Sequence, residues 1–508
     1  MILILDFGSQ TTQLIARRVR EMEIYAHIVP FDDPDIAQYR SKAQGIILSG
    51  GPESVYASDA PSLPKDILNW NIPILGICYG SMILTHTLGG DVQAVGSREF
   101  GRASATIKHH NSIFKKTPPQ QDVWMSHGDH IQTLPDGFDV LAFTDQSAFA
   151  AFEHVVKQMY CTLFHPEVTH TDFGKDLLFN FVFNICQASS AWTMKDFLTQ
   201  ETLRLRKKIG SSTVICGLSG GVDSSVVATL LHKAIGPQLK NIFVDTGLLR
   251  KDEARQVKQA FQDHAGFQLH VVEAQETFYQ ALQGVCDPEE KRKIIGRLFI
   301  EIFEKEAQAF GDAKFLAQGT LYPDVIESVS TRGPAKKIKS HHNVGGLPDH
   351  MKLGLIEPLR LLFKDEVRKL GFELGLPKSF VGRHPFPGPG LAIRILGAVT
   401  PEKVHTLQCA DAIFIQELHA WNLYNQTWQA LTVLLPVQSV GVMGDARTYE
   451  NACVIRAVTS VDGMTADFAH LPHEFLGHVS NRIINEVQGI NRVTYDISSK
   501  PPATIEWE

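Results

Sequence analysis

The stretch that most restricts the fold is VICGLSGGVDSSV at residues 214–226. A short apolar, β-branched run gives way to small residues and then to an apolar run of helical spacing, a pattern that predicts strand, loop and helix. The loop Ser219-Gly220-Gly221-Val222-Asp223-Ser224-Ser225 has what a phosphate cradle needs. Its glycines allow close backbone approach and its hydroxyls can hydrogen-bond, while the helix expected from Val226 to Ala234 turns free N–H groups and the positive end of its dipole toward an anion. No Gly-Lys-Ser/Thr follows, so it is not a Walker A loop.

A chain of 508 residues is too long for one core and predicts two to four domains. The net charge of −7 gives no global attraction to nucleic acid or to an anionic membrane. The seven cysteines are scattered and never form C-x-x-C, which argues against a disulfide frame or a zinc knuckle and predicts a reducing compartment, the cytoplasm. The opening MILILDFGSQ lacks a basic leader and is broken by Asp6 and Gly8, so it reads as a first strand and not a signal peptide. No run approaches bilayer length.

Residues 1–191 alternate short apolar runs with helical stretches: Ile2 to Leu5, Ala26 to Val29, Gly45 to Leu48, Ile72 to Ile77 and Tyr160 to Phe164. Such runs predict a mainly parallel sheet covered on both faces, with ligands at the carboxyl ends of its strands. Three motifs fall at those ends. Gly76-Ile77-Cys78-Tyr79-Gly80 has the glycine-flanked form of a nucleophile elbow, and a helix N-terminus directly after Cys78 favours its thiolate. In His165-Pro166-Glu167 the proline keeps His165 extended, so the imidazole and Glu167 point to the same side and the carboxylate can orient the base. Leu48-Ser49-Gly50-Gly51-Pro52 can aim backbone N–H groups at an oxyanion, although a plain tight turn would look the same.

These three motifs resemble the class I glutamine amidotransferases. The resemblance implies that Cys78 attacks the side-chain amide of glutamine, that His165 protonates the departing ammonia, and that the glutamyl thioester is then hydrolysed. Ser126-His127-Gly128-Asp129 is similar to the family segment that holds the amino-acid end of glutamine, and Tyr79 stands beside the nucleophile. That family usually continues its elbow as C-Y-G-M-Q, whereas this chain has Ser81-Met82. Met82 cannot make the hydrogen bonds of that glutamine side chain, while every triad residue is present.

In residues 192–383 a helix from Trp192 to Ile209 precedes the glycine loop, and strands at Ile242 to Val244, Leu269 to Val272 and Phe315 to Ala317 predict a second parallel α/β domain. The SGGVDSS loop resembles that of the N-type ATP pyrophosphatases, which adenylate a substrate and release pyrophosphate. The resemblance implies that Ser219 to Ser225 and Val244 bind ATP and that Asp223 lies near Mg²⁺. Tyr322 to Ser328, with Asp324 and Glu327, is similar to the mobile lid of such enzymes. Lys336 to His342, with Lys339, reads either as a solvated basic loop or as part of a lid that neutralises triphosphate charge. Arg292 is a candidate for a nucleotide phosphate.

The proline- and glycine-rich run His384 to Gly390 marks a boundary, and residues 384–508 predict a smaller α+β domain with helices near 401–421 and 474–488. Taken whole, the chain resembles the glutamine-hydrolysing GMP synthetases in FVDTGLLR (243–250), KSHHNVGGLP (339–348), RHPFPGPGL (383–391) and KPPATIEWE (500–508). The resemblance implies a flavodoxin-like glutaminase, an adenine-nucleotide α-hydrolase-like pyrophosphatase and a C-terminal dimerisation domain. It implies as substrates glutamine, ATP and xanthosine 5'-monophosphate (XMP), the last held by Arg292, Arg492, Lys500, Ile505 and Glu506, and it implies a homodimer. Another amidating pyrophosphatase such as an NAD synthetase is the alternative, but that family lacks the KPPATIEWE tail.

Overall fold

The computed structural model describes the whole chain apart from residues 190, 264–266, 312, 330–352, 444–445 and 461–464. The chain divides into two compact units, residues 1–197 with 321–346, and residues 198–320 with 347–508.

The first unit is built on β1 (Ile2–Asp6), β2 (Ala26–Pro30), β3 (Gly45–Leu48), β4 (Ile74–Ile77), β5 (Asp91–Ile107), β6 (Gln120–Thr133), β7 (Asp139–Phe143), β8 (Ala151–His154) and β9 (Met159–Thr162). They form one sheet of order β2-β1-β3-β4-β9-β8-β7-β5-β6. Pairing is parallel from β2 to β9 and antiparallel beyond. Ile2, Leu3, Ile4 and Leu5 are wholly buried, because helices cover both faces of a parallel sheet, and that is why the run is continuously apolar. All five parallel strands overlap the runs read from the sequence, although β4 begins two residues later than its run and β9 spans Met159–Thr162 instead of reaching Phe164. The antiparallel extension was not legible, since β6 alternates buried and exposed residues instead of forming an apolar run. The helix Tyr322–Val329 also belongs to this unit. The N–H of Ile28 donates to the Tyr322 hydroxyl at 2.7 Å, and the Arg20 guanidinium lies 4.5 Å from that ring.

The second unit contains β10 (Thr213–Leu218), β11 (Leu239–Asp245), β12 (Leu269–Glu273), β13 (Ala313–Ala317) and β14 (Gly354–Ile356), all parallel in the order β12-β11-β10-β13-β14. A further sheet comprises β15 (Gln429–Met443), β16 (Ala446–Thr459), β17 (Asp467–Phe468) and β18 (Ile490–Tyr495), in which β16 pairs antiparallel with β15 and β17 and parallel with β18. One apolar core runs from Ile215 and Phe278 to Phe414 and Phe475, so the parallel sheet and the C-terminal helices Pro401–Ala420 and His473–Glu486 share a single interior.

The proline-rich run at 384–390 crosses this unit and is pinned by His384. Its ring stacks on Tyr424 at 3.7 Å, its Nδ1 accepts from the Ala430 N–H at 3.2 Å, and its Nε2 lies 3.0 Å from the Tyr424 carbonyl. One nitrogen accepting and the other donating requires the neutral ring. Burial pushes its pKa down to about 4, and the charges of Arg250 and Arg368 add to this, while the Tyr424 carbonyl pulls the other way.

The folded value is below the ordinary one, so the stability this histidine confers is complete above about pH 6.5 and is lost as pH falls toward 4. The loss is up to about 3 kcal/mol by that shift. Urea unfolding followed from pH 7.5 to 4.5 should show a smaller decline in His384→Gln than in the wild type. Equal declines would contradict the assignment.

Candidate active sites

The chain leaves β4 at Ile77, and Cys78 takes φ 50° and ψ −108°, a strained left-handed turn, before the helix Tyr79–Thr87 begins. The flanking glycines are required sterically. A Cβ on Gly80 would lie 2.3 Å from the Leu48 carbonyl oxygen, and one on Gly76 would lie 2.9 Å from the Gly80 backbone. The Cys78 N–H donates to the Thr162 carbonyl at 2.8 Å, tying the elbow to β9.

Just past β9, the His165 N–H donates to the Trp124 carbonyl at 3.0 Å, and the Thr171 hydroxyl donates to the His165 carbonyl at 2.7 Å. These bonds hold the extended HPE segment in place. The His165 Nδ1 lies 2.7 Å from Glu167 Oε1, and the Cys78 thiol acts on the same ring electrostatically. Burial would lower the His165 pKa, yet the Glu167 carboxylate and Cys78 outweigh it and hold the imidazole well above its ordinary value. The three residues therefore form a connected Cys-His-Glu arrangement.

Gly50 and Gly51 follow β3. A Cβ on Gly50 would stand 3.1 Å from His165 Cε1, and one on Gly51 would stand 2.8 Å from the Phe7 carbonyl oxygen and 3.1 Å from the Tyr79 ring. Tyr79 braces this turn: its hydroxyl donates to the Pro61 carbonyl at 2.6 Å, and its pKa is pushed up to about 12 by burial and by Glu53 and Asp129. Ser126, His127, Gly128 and Asp129 lie within β6, where the Ser126 carbonyl is 3.4 Å from Cys78 Sγ. His127 is buried, with Nδ1 2.9 Å from the Asp129 carbonyl and Nε2 3.4 Å from Glu99, an ion-pair distance without an aligned hydrogen bond. Met82 is buried on the elbow helix. Sequence reasoning passed over Ser9, Thr11 and Arg18. The Thr11 hydroxyl donates to Glu167 Oε1 at 2.6 Å, and Arg18 Nε donates to the Glu167 carbonyl at 3.0 Å. The available signal was their place just beyond β1, on the same rim as the elbow.

In the second unit the glycine loop leaves β10 beside β13, where the strand order reverses and ligand crevices form. The helix begins at Val222, four residues before the expected Val226. Gly220 at φ +77° turns the chain and Gly221 is already the N-cap, so Val222, Asp223, Ser224 and Ser225 form the first helical turn. The loop is preformed. Ser219 and Ser224 hydroxyls are 3.0 Å apart, and the Ser225 hydroxyl donates to the Gly221 carbonyl at 2.8 Å. Both Asp223 carboxylate oxygens accept from Lys364 Nζ, at 2.6 and 2.5 Å. Gly319, just past β13, packs where a Cβ would meet Asp223 at 3.3 Å. The Val244 side chain is buried in β11 and contributes to the core. Among the described residues no group of three or more His, Cys, Asp or Glu could hold a metal by itself.

The C-terminal tail is locked in place. Arg394 and Arg456 are fully buried, as is Lys291. Arg394 meets the Glu506 carboxylate with Nε at 3.0 Å and a terminal nitrogen at 2.8 Å, and Gln429 donates to the same carboxylate at 2.6 Å. Arg456 donates to the Ile505 and Thr504 carbonyls at 3.0 and 3.1 Å, and Lys291 donates to Glu508 Oε2 at 2.6 Å. Arg292 reaches the Glu508 carbonyl at 2.6 Å, Lys500 pairs through its main chain with Ala466, and Ile505 is buried. A cleft of about 560 Å³ lies beside the tail, lined by Tyr495, Asp496, Ser498, Thr504, Glu506 and Trp507. Arg492 is held apart from these contacts, its Nε donating to Ser439 at 3.1 Å on the β15 side of the sheet. Of the lid residues, Asp324 accepts from the Leu321 N–H at 3.0 Å and Glu327 lies on the same short helix. The Glu327 side chain and Lys339 lie outside the described residues.

Family models agree with this layout: class-I glutamine amidotransferase matches residues 3–185, NAD synthase residues 192–296, and the GMP synthase C terminal domain residues 416–507. The glutamine-hydrolysing GMP synthase of Fusobacterium nucleatum is 56% identical over 508 residues, covering 100% of this chain and 99% of that protein. The chain belongs to the glutamine-hydrolysing GMP synthase family. Other GMP synthases are similarly close, that of Brachyspira hyodysenteriae at 55% identity, covering 100% of this chain and 99% of that one, and that of Brucella suis at 56%, covering 100% and 98%. Membership in the GMP synthase family accounts for the C-terminal match, which an NAD synthetase would leave unexplained.

Gly80→Ala should lower the stability of the first unit by about 1–3 kcal/mol through overpacking. By displacing the elbow it should also cut glutamine hydrolysis by about a hundredfold. Thermal unfolding and glutamate release measured on the same preparation check both; an unaltered variant would refute the steric account.

Proposed function

We propose that this chain makes GMP from XMP with glutamine as nitrogen donor and ATP as the activating reagent. The observation that carries the reading is the likeness to GMP synthases along the entire chain. In residues 1–191, Cys78 Sγ attacks the glutamine carboxamide carbon, N–H groups of the Gly50-Gly51 turn stabilise the oxyanion, and His165 gives its proton to the leaving ammonia. Glu167 holds the imidazolium, and water then hydrolyses the thioester to glutamate. Ser126 to Asp129 hold the amino-acid end of the substrate.

In residues 192–383 the SGGVDSS loop holds ATP while the C2 oxygen of XMP attacks the α-phosphorus and pyrophosphate leaves. Ammonia then attacks C2 and AMP departs. Activation is needed because the C2 oxygen is otherwise a poor leaving group. The loop hydroxyls and the N–H groups at the start of the helix Val222–Ile235 suit phosphate oxygens. Asp223 fits Mg²⁺ as one protein ligand: its carboxylate already pairs with a cation, Lys364, and Mg²⁺ commonly takes one or two carboxylates with substrate phosphates completing its shell. Bound there, Mg²⁺ would neutralise phosphate charge. Arg292, Lys500, Ile505, Glu506 and Arg492 are the residues assigned to XMP, with Arg394 presetting the Glu506 carboxylate. Asp324, Glu327 and Lys339 are assigned to closing over the nucleotide.

Residues 384–508 are assigned to pairing two copies of the chain. Val440, Val442 and Tyr449 on the β15–β16 hairpin are 49%, 76% and 59% exposed, an apolar patch suited to a second copy. We also place the protein in the cytoplasm: each of its seven cysteines is a free thiol, and no described helix is long and apolar enough to cross a membrane.

Phosphorus NMR with Mg-ATP and XMP tests the scheme. AMP, pyrophosphate and GMP are expected with either ammonium or glutamine as donor, and ADP with phosphate would refute it. Sedimentation should show a dimer that Val440→Asp with Val442→Asp converts to a folded monomer; an unaltered dimer would reject this interface.

A further inference from the structure

Thr11 occupies the N-cap of the helix Thr12–Glu21, a position at which a threonine hydroxyl ordinarily accepts a hydrogen bond from the first turn. Here it makes no such cap. Its hydroxyl reaches instead to Glu167 Oε1 at 2.6 Å, the same oxygen that lies 2.7 Å from His165 Nδ1. A helix has given up its cap, and the bond has gone to the carboxylate of the Cys-His-Glu arrangement.

The direction of the protons follows from the chemistry. A carboxylate only accepts, so Thr11 spends its one hydroxyl proton on Glu167. The Ser9 and Thr11 hydroxyls are 2.9 Å apart, so Ser9 must be the donor in that contact, and Ser9 Oγ in turn lies 3.2 Å from the Thr11 N–H. The result is an ordered chain, Ser9 to Thr11 to Glu167, whose members polarise one another. Ser9 also lies against the glycine turn, with its Oγ 3.3 Å from where a Cβ on Gly50 would be.

Glu167 depends on this chain. Its side chain is wholly buried, and among the described residues its second oxygen, Oε2, has no hydrogen-bond partner. Arg18 holds only the Glu167 carbonyl. Apart from His165 itself, the Thr11 hydroxyl is thus the side-chain anchor of the carboxylate. Without it, the carboxylate could rotate with the imidazole it is meant to orient.

We propose that Thr11, backed by Ser9, is a positioning residue of the glutaminase centre, fixing the Glu167 carboxylate so that His165 meets Cys78 in one orientation. This rests on the glutaminase role assigned above to the triad. The titratable groups facing His165 are Glu167 from its own segment and Cys78 from the elbow, with Arg18 reaching Glu167 from the first helix.

The test compares full-length Thr11→Val, Thr11→Ser and Cys78→Ala with the wild type. It measures glutamate release across pH and, on the same samples, GMP formation with ammonium. Thr11→Val, which keeps shape and loses the hydroxyl, should lower kcat for glutamine by about ten- to a hundredfold with KM little altered. Thr11→Ser should restore most of that loss, and ammonium-dependent synthesis should persist in both. The acid limb of the Thr11→Val profile should move to lower pH, because looser coupling to Glu167 removes part of what raises His165. Full activity in Thr11→Val overturns the assignment, as does a fall confined to KM, an unmoved pH limb, or no rescue by serine. Glutamate release surviving in Cys78→Ala would sink the triad reading and this role with it; with that control inactive, an unaffected Thr11→Val removes the Thr11 role alone.

Discussion

A parallel strand buried on both faces cannot be joined to its neighbour by a hairpin, so each returns through a crossover and all carboxyl ends lie on one rim. Adjacent strands stand only about 4.8 Å apart, and loops from distant parts of the chain meet there. In the first unit that rim gathers Thr11 after β1, Gly50 after β3, Cys78 after β4 and His165 after β9. The same geometry in the second unit puts the SGGVDSS loop after β10 next to Gly319 after β13. The loop of the second unit lies where the strand order changes direction, which leaves a crevice between loops that diverge to opposite faces.

Close packing under the rim explains why small residues are confined to a few places. The elbow helix approaches β3 so closely that a methyl group on Gly80 would clash with the Leu48 carbonyl oxygen. That approach is what raises Cys78 into a left-handed conformation above the sheet. The C-terminal tail is governed by a different term. Lys291, Arg394 and Arg456 have no exposed surface, and a buried cation is tolerable only with its partners in place; breaking such a pair costs roughly 3–5 kcal/mol. Residues 504–508 supply part of those partners, and Asp496 meets Arg456 at 2.8 Å, so this segment is tied to the interior although only Ile505 of it is buried.

What the sequence made legible follows from these causes. Continuous apolar runs located the parallel strands, and motifs at their ends located Cys78, His165, Glu167 and the SGGVDSS loop, because a strained elbow and a tight strand-to-helix turn both demand particular small residues. The long antiparallel strands β5 and β6 were illegible, since a half-solvated sheet alternates its residues and leaves no apolar run. The helix at Val222 started earlier than its apolar spacing implied, because Asp223, Ser224 and Ser225 favour a first turn that hydrophobic periodicity does not register. Lys291 sits in the charged string EEKRK, where nothing in the local pattern marks it for burial, yet the fold buries it completely.

The residues that escaped the sequence reading share one physical origin. A carboxylate drawn into a crevice loses water and must find donors, and those donors come from whichever element happens to lie alongside. Glu167 takes Thr11 from 156 residues away, Asp223 takes Lys364 from 141 away, and Glu506 takes Arg394 from 112 away. No local pattern announces such partners, because nothing in their own segments requires them. A Walker A loop carries its lysine within the motif, whereas here Lys364, at the start of a separate helix, reaches the loop through the Asp223 carboxylate. Motifs therefore name the candidate groups, and the tertiary structure decides what holds them still.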